Sequence, residues 1–287
     1  VVGAYVALTK PRIIELLLIT TVPTMVLAEQ GWPPWGLIAV TLLGGALAAG
    51  GANAVNMYVD RDIDALMTRT QNRPLVTGAI APRNALVFAV ALHVAAFVVL
   101  WLGANLLSAV LAIGASAFYI GVYTLWQKRT SRQNIVIGGA AGAVPVLVGW
   151  TAVQDSLAWP PVVLFVAMFL WTPPHFWALA VKYADDYRAA DVPMLPSVAP
   201  IGNVVRQMVW YTVALVASTL VLVPISDLGW IYGITAAVLG AMFIAGTVML
   251  GRNPTANASM RLFGFSITYV TVLFGSMMVD IFVQYGW

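Results

Sequence analysis

Apolar residues fill this chain in long uninterrupted stretches of about 18–25 positions, the length a helix needs to cross the hydrocarbon core of a bilayer. They do not alternate with polar residues, so a membrane barrel is not the expected form. Groups of turn residues such as Gly31-Trp-Pro-Pro34 and Gly103-Ala-Asn105 separate them, and these punctuate helices rather than continue them. The pattern predicts an all-α polytopic membrane protein of about nine transmembrane helices, over roughly 12–30, 35–58, 84–103, 105–127, 133–153, 158–183, 206–224, 228–250 and 262–284. The expected organisation is a single integral membrane domain over 1–287.

Composition agrees. The chain is 61% hydrophobic and 9% charged, where a soluble domain carries about 25% charged residues. With lipid as the solvent, backbone polar groups must be paired inside helices or a closed barrel. There is no cysteine, which excludes disulfides, thiolate catalysis and Cys-based zinc sites. No cleavable signal peptide is visible, and Val1 does not read as a native start.

The placement of charge says more than the net value of +3. Lys10 and Arg12 precede the first span. Arg61, Arg69, Arg73 and Arg83 lie between the second and third, and Lys128, Arg129 and Arg132 between the fourth and fifth. Lys182, Arg188 and Arg206 bracket the connection after the sixth, and Arg252 and Arg261 lie between the eighth and ninth. All fourteen basic residues therefore fall on one side. The opposite connections hold only Glu29, Asp155 and Asp227. Positive residues mark the cytoplasmic side, so the N-terminus is expected there and the C-terminus outside. Trp32, Trp35, Trp159, Trp230 and Trp287 fall near span ends, as interfacial anchors do.

Two basic-side connections, 59–83 and 184–205, are long and follow acidic clusters, and long loops in compact proteins are often functional. Asp60 and Asp186, one in each cluster, lie 126 positions apart, a hint of an internal repeat. In the first cluster Asn56, Asp60 and Asp64 recur every four residues, which on a helix forms one stripe. Carboxylates at a helix C-terminus meet a negative dipole. A divalent cation would offset both the dipole and their mutual repulsion, and Mg²⁺ binds through one or two carboxylates plus substrate phosphates. The bland alternative is a set of solvated acids paired with Arg61, Arg69 and Arg73. Asp62 falls away from the stripe if the helix continues and is the weaker candidate ligand.

Arg69 and Arg73 suit diphosphate oxygens through their guanidinium forks; their alternative role is topological charge. Lys128 ends the fourth span on the same side, either facing a diphosphate or anchoring the interface with Arg129 and Arg132. In the second cluster, Lys182-Tyr-Ala-Asp185-Asp186-Tyr-Arg188, Asp185 and Asp186 are candidates to hold a second Mg²⁺ or orient the first. Lys182, one turn before Asp186, reads either as its ion-pair partner or as a phosphate ligand. His175 follows Trp171-Thr-Pro-Pro174, where two prolines predict a broken helix, and it is a candidate to touch substrate. His93 reads as a hydrogen-bonded histidine of the bundle, and neither histidine has partners at metal-ligand spacing. Glu15 and Asp280 lie near span ends and read as interfacial.

These residues resemble the UbiA-type intramembrane prenyltransferases. The resemblance is carried by Asn56-Met-Tyr-Val-Asp60-Arg-Asp-Ile-Asp64, Arg69-Thr-Gln-Asn-Arg73-Pro-Leu, Thr77-Gly78, Leu8-Thr-Lys10-Pro-Arg12, Trp171-Thr-Pro-Pro-His175-Phe-Trp, Asp185-Asp-Tyr and Pro193-Met-Leu-Pro196. It spans nearly the whole chain and is nearest to the heme-farnesylating branch. The resemblance implies a nine-helix bundle in the cell (inner) membrane. It also implies Mg²⁺-dependent ionisation of farnesyl diphosphate and alkylation of a heme B vinyl group, with water addition giving heme O. Heme B is then a substrate, not a resident cofactor. Asp60, Asp64, Asp185 and Asp186 become the catalytic acids, with Asn56, Asp60, Asp64 and Asp186 on metal. Asn56, Arg69, Arg73, Lys128, Lys182 and His175 become substrate-binding residues. A heme A synthase or a terminal-oxidase assembly partner is the implied recipient of product, and nucleic acid is no partner. The family often carries Asp-x-x-x-Asp in its second motif; here position 182 is Lys and position 190 is Ala. Which of Asp185, Asp186 and Asp191 binds metal stays open.

Three other readings compete. A prenyltransferase for an aromatic quinone precursor would share every motif. A transporter would place its charges nearer the membrane midplane. A non-catalytic heme-binding or assembly protein would not need Asp60.

Overall fold

The computed structural model describes residues 2–286, with side chains except at positions 12, 13 and 16–18. The expectations placed on Val1, on Trp287 and on the Arg12 side chain lie outside the described residues. The elements in order are α1 (Val2–Thr9), α2 (Pro11–Glu29), α3 (Trp35–Val59), α4 (Arg61–Leu66), α5 (Pro82–Gly103), α6 (Leu106–Phe118), a π-helix (Tyr119–Gln127), α7 (Lys128–Thr130), α8 (Asn134–Gln154), α9 (Trp159–Lys182), α10 (Ala184–Ala189), α11 (Leu195–Val198), α12 (Ile201–Ile225), α13 (Trp230–Arg252) and α14 (Ala256–Tyr285). Among the described residues there is no strand. Eight helices among the described residues are long and apolar enough to cross a membrane, and Ile19–Glu29 within α2 is a shorter apolar run.

The long helices form a ring. α3 packs on α5, α5 on α6 and α6 on α8; α8 packs on α9, α9 on α12, α12 on α13 and α13 on α14. α14 returns to α2, and α2 also packs on α8. Helices in lipid associate through close packing, which favours small residues at crossings. Gly149 on α8 shows this, because a Cβ there would lie 2.7 Å from the backbone oxygen of Thr21 on α2. The outward face of α5 presents Val87, Val90, Val94 and Val98 exposed at helical spacing, a surface suited to acyl chains. Trp35, Trp159 and Trp230 stand exposed at the starts of α3, α9 and α13. All three lie at the end opposite the basic connections, where an interfacial belt is expected.

Four local features depart from the expected pattern. α9 runs unbroken through Pro173 and Pro174. The prolines remove two backbone donors without breaking the helix, a tolerance seen where neighbouring helices and hydroxyls re-satisfy the backbone. Helix α12 begins at Ile201, earlier than the polar residues Asn203 and Arg206 implied. Both long connections are ordered, with α4 in one and α10 and α11 in the other. Asp280 is not interfacial but buried. Its carboxylate accepts from the backbone N–H groups of Gly229, Ile231 and Tyr232, and from Gln284. It therefore caps α13 from another helix, satisfying donors that a helix N-terminus leaves free.

The two acidic clusters share a plan. In each, a long helix, 25 residues in α3 and 24 in α9, is followed after one residue by a helix of six, α4 or α10.

Candidate active site

The first acidic cluster forms where α3 kinks into α4. Asp60 caps α3 at φ −87°, ψ 3°, yet the hydrogen-bond ladder continues. Asp60 N donates to Asn56 O (2.9 Å) and Asp64 N to Asp60 O (2.8 Å). The near-helical path keeps Asn56, Asp60 and Asp64 on one side, and all three are buried. Asp62 is turned outward and accepts two bonds of 2.7 Å from Arg129. Those bonds hold its carboxyl down to about 2.

Buried carboxylates need partners, and basic residues from two other segments supply them. Lys128 Nζ donates to Asp60 Oδ2, and Arg73 Nη1 donates to Asp64 Oδ2 at 2.5 Å. Asn56 Nδ2 donates to Asp60 Oδ2 (2.7 Å) and to Thr124 Oγ1 (3.1 Å). Its amide oxygen accepts from Lys10 Nζ at 2.7 Å. Arg73 and Lys128 thus pair with the two carboxylates, and Lys10 binds the Asn56 amide beside them. Asp60 Oδ1 is buried with no hydrogen-bond partner, with the Arg129 guanidinium 3.7 Å away. A buried carboxylate oxygen with free lone pairs is what a hard divalent cation requires. Among the described residues no three His, Cys, Asp or Glu side chains gather as a metal site by themselves.

Local structure explains the reach of these cations. Tyr119–Gln127 is π-helical, and such segments, rare elsewhere, recur at functional sites. Thr124 and Lys128 from this region both meet the acidic stripe, and Tyr119 and Tyr123 stack at 5.2 Å. Lys10 adopts a left-handed conformation, φ 54°, between α1 and α2. Burial, then the nearby Arg73 and Lys128 charges, push its ammonium well below the ordinary lysine range.

The second cluster reaches the first through the 59–83 connection. Asp186 accepts from Thr68 Oγ1 (3.1 Å) and Arg69 N (3.4 Å). Asp185 points outward and pairs with Arg188. Lys182 does not pair with Asp186. Its ammonium lies 5.4 Å from the Tyr183 ring, and the Arg69 guanidinium lies 5.8 Å from the same ring. Asp191 is exposed and left-handed at φ 50°. His175 is buried between the Trp171 and Phe263 rings, at 4.1 and 4.6 Å. His93 Nδ1 bonds the Ala89 carbonyl at 2.8 Å while its Nε2 is buried without a partner, so it is only half satisfied.

Lys10, Thr124, Arg129 and the Tyr119–Tyr123 pair were not among the candidate site residues. Lys10 and Arg129 looked like topological charge, and no periodicity signals a π-helix. The one available cue was that Lys10 lies in a motif, immediately before Pro11.

A lipid-embedded helical bundle with a buried acidic pair, cationic neighbours and two acidic connections at one end defines an intramembrane enzyme that handles an anionic, phosphorylated lipid-like substrate. Residues 17–272 match the UbiA prenyltransferase family, and the chain belongs to it. Similar proteins include one from Pseudarthrobacter chlorophenolicus, 52% identical, with 98% of this chain and 89% of that protein covered. Another is from Streptomyces avermitilis, 52% identical, with 99% and 95% covered. Both bear the name protoheme IX farnesyltransferase. Among solved structures, a digeranylgeranylglyceryl phosphate synthase superposes with a TM-score of 0.80 at 17% identity, covering 98% of each chain. A UbiA homolog from Archaeoglobus fulgidus bound to GPP and Mg²⁺ superposes at 0.64 with 16% identity, covering 96% of this chain and 99% of that one. At such identities these structures speak for the fold.

Proposed function

We propose that this protein is a prenyltransferase that moves the farnesyl group of farnesyl diphosphate to a vinyl group of protoheme IX (heme B), giving heme O. The reaction class rests on one observation above the rest: a buried Asp60–Asp64 pair, with an Asp60 oxygen that accepts no hydrogen bond, beside Lys10, Arg73 and Lys128. The acceptor rests on near-full-length relatives that carry that activity in their names.

Asp60 and Asp64, with Asn56 and Asp186 as further oxygen donors, would hold Mg²⁺, which neutralises charge on the diphosphate. The chain's own cations do the same work. Arg73, Lys128 and Lys10 stabilise the charge that develops on the leaving diphosphate as the allylic C–O bond breaks. Arg69 and Lys182, beside Tyr183, guide the diphosphate from the rim. The vinyl π electrons attack the farnesyl carbon. Water then adds to the carbon left cationic beside the porphyrin and loses a proton, which gives the hydroxyethylfarnesyl group. The apolar surroundings limit premature hydrolysis of the allylic cation. His175 contacts the heme. Asp185 and Asp186 complete the acidic rim, with Asp186 the inner member because it binds the 59–83 connection.

The whole chain acts as a single membrane domain. Its basic end faces the cytoplasm of a cell (inner) membrane, and its C-terminus lies outside. Product passes to a heme A synthase or a terminal-oxidase assembly partner.

The test uses purified protein in nanodiscs with heme B, farnesyl diphosphate and Mg²⁺, and reads products by mass. A Mg²⁺-dependent product at the mass of heme O, lost in Asp60→Ala, is expected. Turnover of an aromatic quinone precursor in place of heme would retain the class and reject the acceptor.

A further inference from the structure

Ser266 on α14 is fully buried and has one hydroxyl proton for two close neighbours. Its Oγ lies 2.6 Å from the Phe263 carbonyl oxygen and 2.6 Å from His175 Nδ1. A carbonyl can only accept. Two oxygens at 2.6 Å with no proton between them repel, so the hydroxyl proton must lie toward Phe263. The His175 contact then requires its own proton, on Nδ1. The neutral imidazole has one N–H, so Nε2 carries a lone pair. The described residues give Nε2 no hydrogen-bond partner. The ring cannot readily turn away, since Trp171 stacks on it at 4.1 Å and Phe263 at 4.6 Å. The Trp171 indole is itself tied to Ser266, donating Nε1–H to its backbone oxygen at 2.9 Å.

A fixed, apolar-sandwiched imidazole with one nitrogen hydrogen-bonded and the other free has the form of a metal-ligating histidine. In such ligands the distal N–H bond sets tautomer, orientation and basicity. We propose that Ser266 is a positioning residue: its Oγ holds His175 as the Nδ1–H tautomer and presents Nε2 as an axial ligand to the iron of the heme acceptor. The inference rests on the reading of heme as acceptor. Ligation would fix the porphyrin plane relative to α9, and with it the distance from a vinyl group to the diphosphate site.

The experiment adds ferrous heme B to the full-length protein in nanodiscs and records the iron–histidine stretching band by resonance Raman, alongside farnesylation of heme by mass. Wild type is expected to show the band. His175→Gly is expected to lose it and to regain it with added imidazole. Ser266→Ala is expected to keep the band at a lower frequency, because Nδ1–H loses its acceptor, with reduced turnover, whereas Ser266→Thr keeps the wild-type frequency. A band that persists in His175→Gly without imidazole, or is unmoved in Ser266→Ala, overturns the proposal. Farnesylated heme from a wild type lacking the band overturns it while leaving the acceptor reading intact. A stable wild type that neither binds nor farnesylates heme removes both.

Discussion

At the scale of single residues, the buried Asp60 ties function to stability through Lys128. Removing one partner of a buried ion pair leaves an uncompensated charge and typically costs about 3–5 kcal/mol. Lys128→Met is therefore expected to lower the unfolding temperature in detergent. Its turnover should fall by about 10²–10³-fold, the range for losing one preorganised charge-stabilising donor. Lys128→Met combined with Asp60→Asn removes both charges, so it should recover much of the stability and none of the activity. Thermal unfolding and product formation on the same samples separate the two effects. Were Lys128 only an interface anchor, the single variant would retain turnover. Asp62 behaves differently because it is largely exposed. Arg129 holds its folded pKa at about 2, below the unfolded value, so its small stabilisation is fully present above about pH 4. That contribution disappears as pH falls through the folded value. The gap in unfolding midpoint between wild type and Asp62→Asn should thus be flat above pH 4 and close toward pH 2.

At the scale of elements, periodicity and turn residues made the long helices legible. The Asn56–Asp60–Asp64 stripe was legible because the α3–α4 kink keeps near-helical hydrogen bonding. What escaped the sequence depends on contacts between elements. The π-helix before Lys128 has no signature in hydropathy. Lys10 reaches Asn56 across 46 positions, a contact that a count of basic residues by loop reduces to topology. Asp280 was misplaced for the same reason, since its partners begin 51 positions earlier. Asp280→Ala strips α13 of its cap and should destabilise the protein by about 0.5–2 kcal/mol, as lost helix caps do. Turnover at low temperature should stay near wild type, because the cap lies at the end of the bundle away from the acidic clusters. Gly149→Ala tests packing in the same way. The added Cβ meets the Thr21 carbonyl oxygen of another helix, and backbone cannot yield as a flexible side chain does. A drop in unfolding temperature is expected, and an unchanged midpoint would show that α2 and α8 can move apart freely.

At the scale of the whole molecule, the chemistry is confined to one end of the bundle, so orientation in the membrane decides which compartment supplies diphosphate. In the proposed orientation that end faces the cytoplasm, and the absence of cysteine from the sequence makes the orientation testable with single substitutions. Ser156 is exposed in the connection between α8 and α9, opposite the acidic clusters, and Asn253 is exposed between α13 and α14 on the basic side. In intact cells, Ser156→Cys should react with a membrane-impermeant maleimide. Asn253→Cys should react only after the membrane is opened. Reversed labelling would put the Asp60–Asp64 site outside, where a cytoplasmic pool of prenyl diphosphate could not reach it by the route proposed. The geometry gives this outcome its weight: Lys10, Arg73, Lys128 and the Thr68–Asp186 link come from segments that all open at the same end. In the proposed reaction the substrate phosphate arrives at that end.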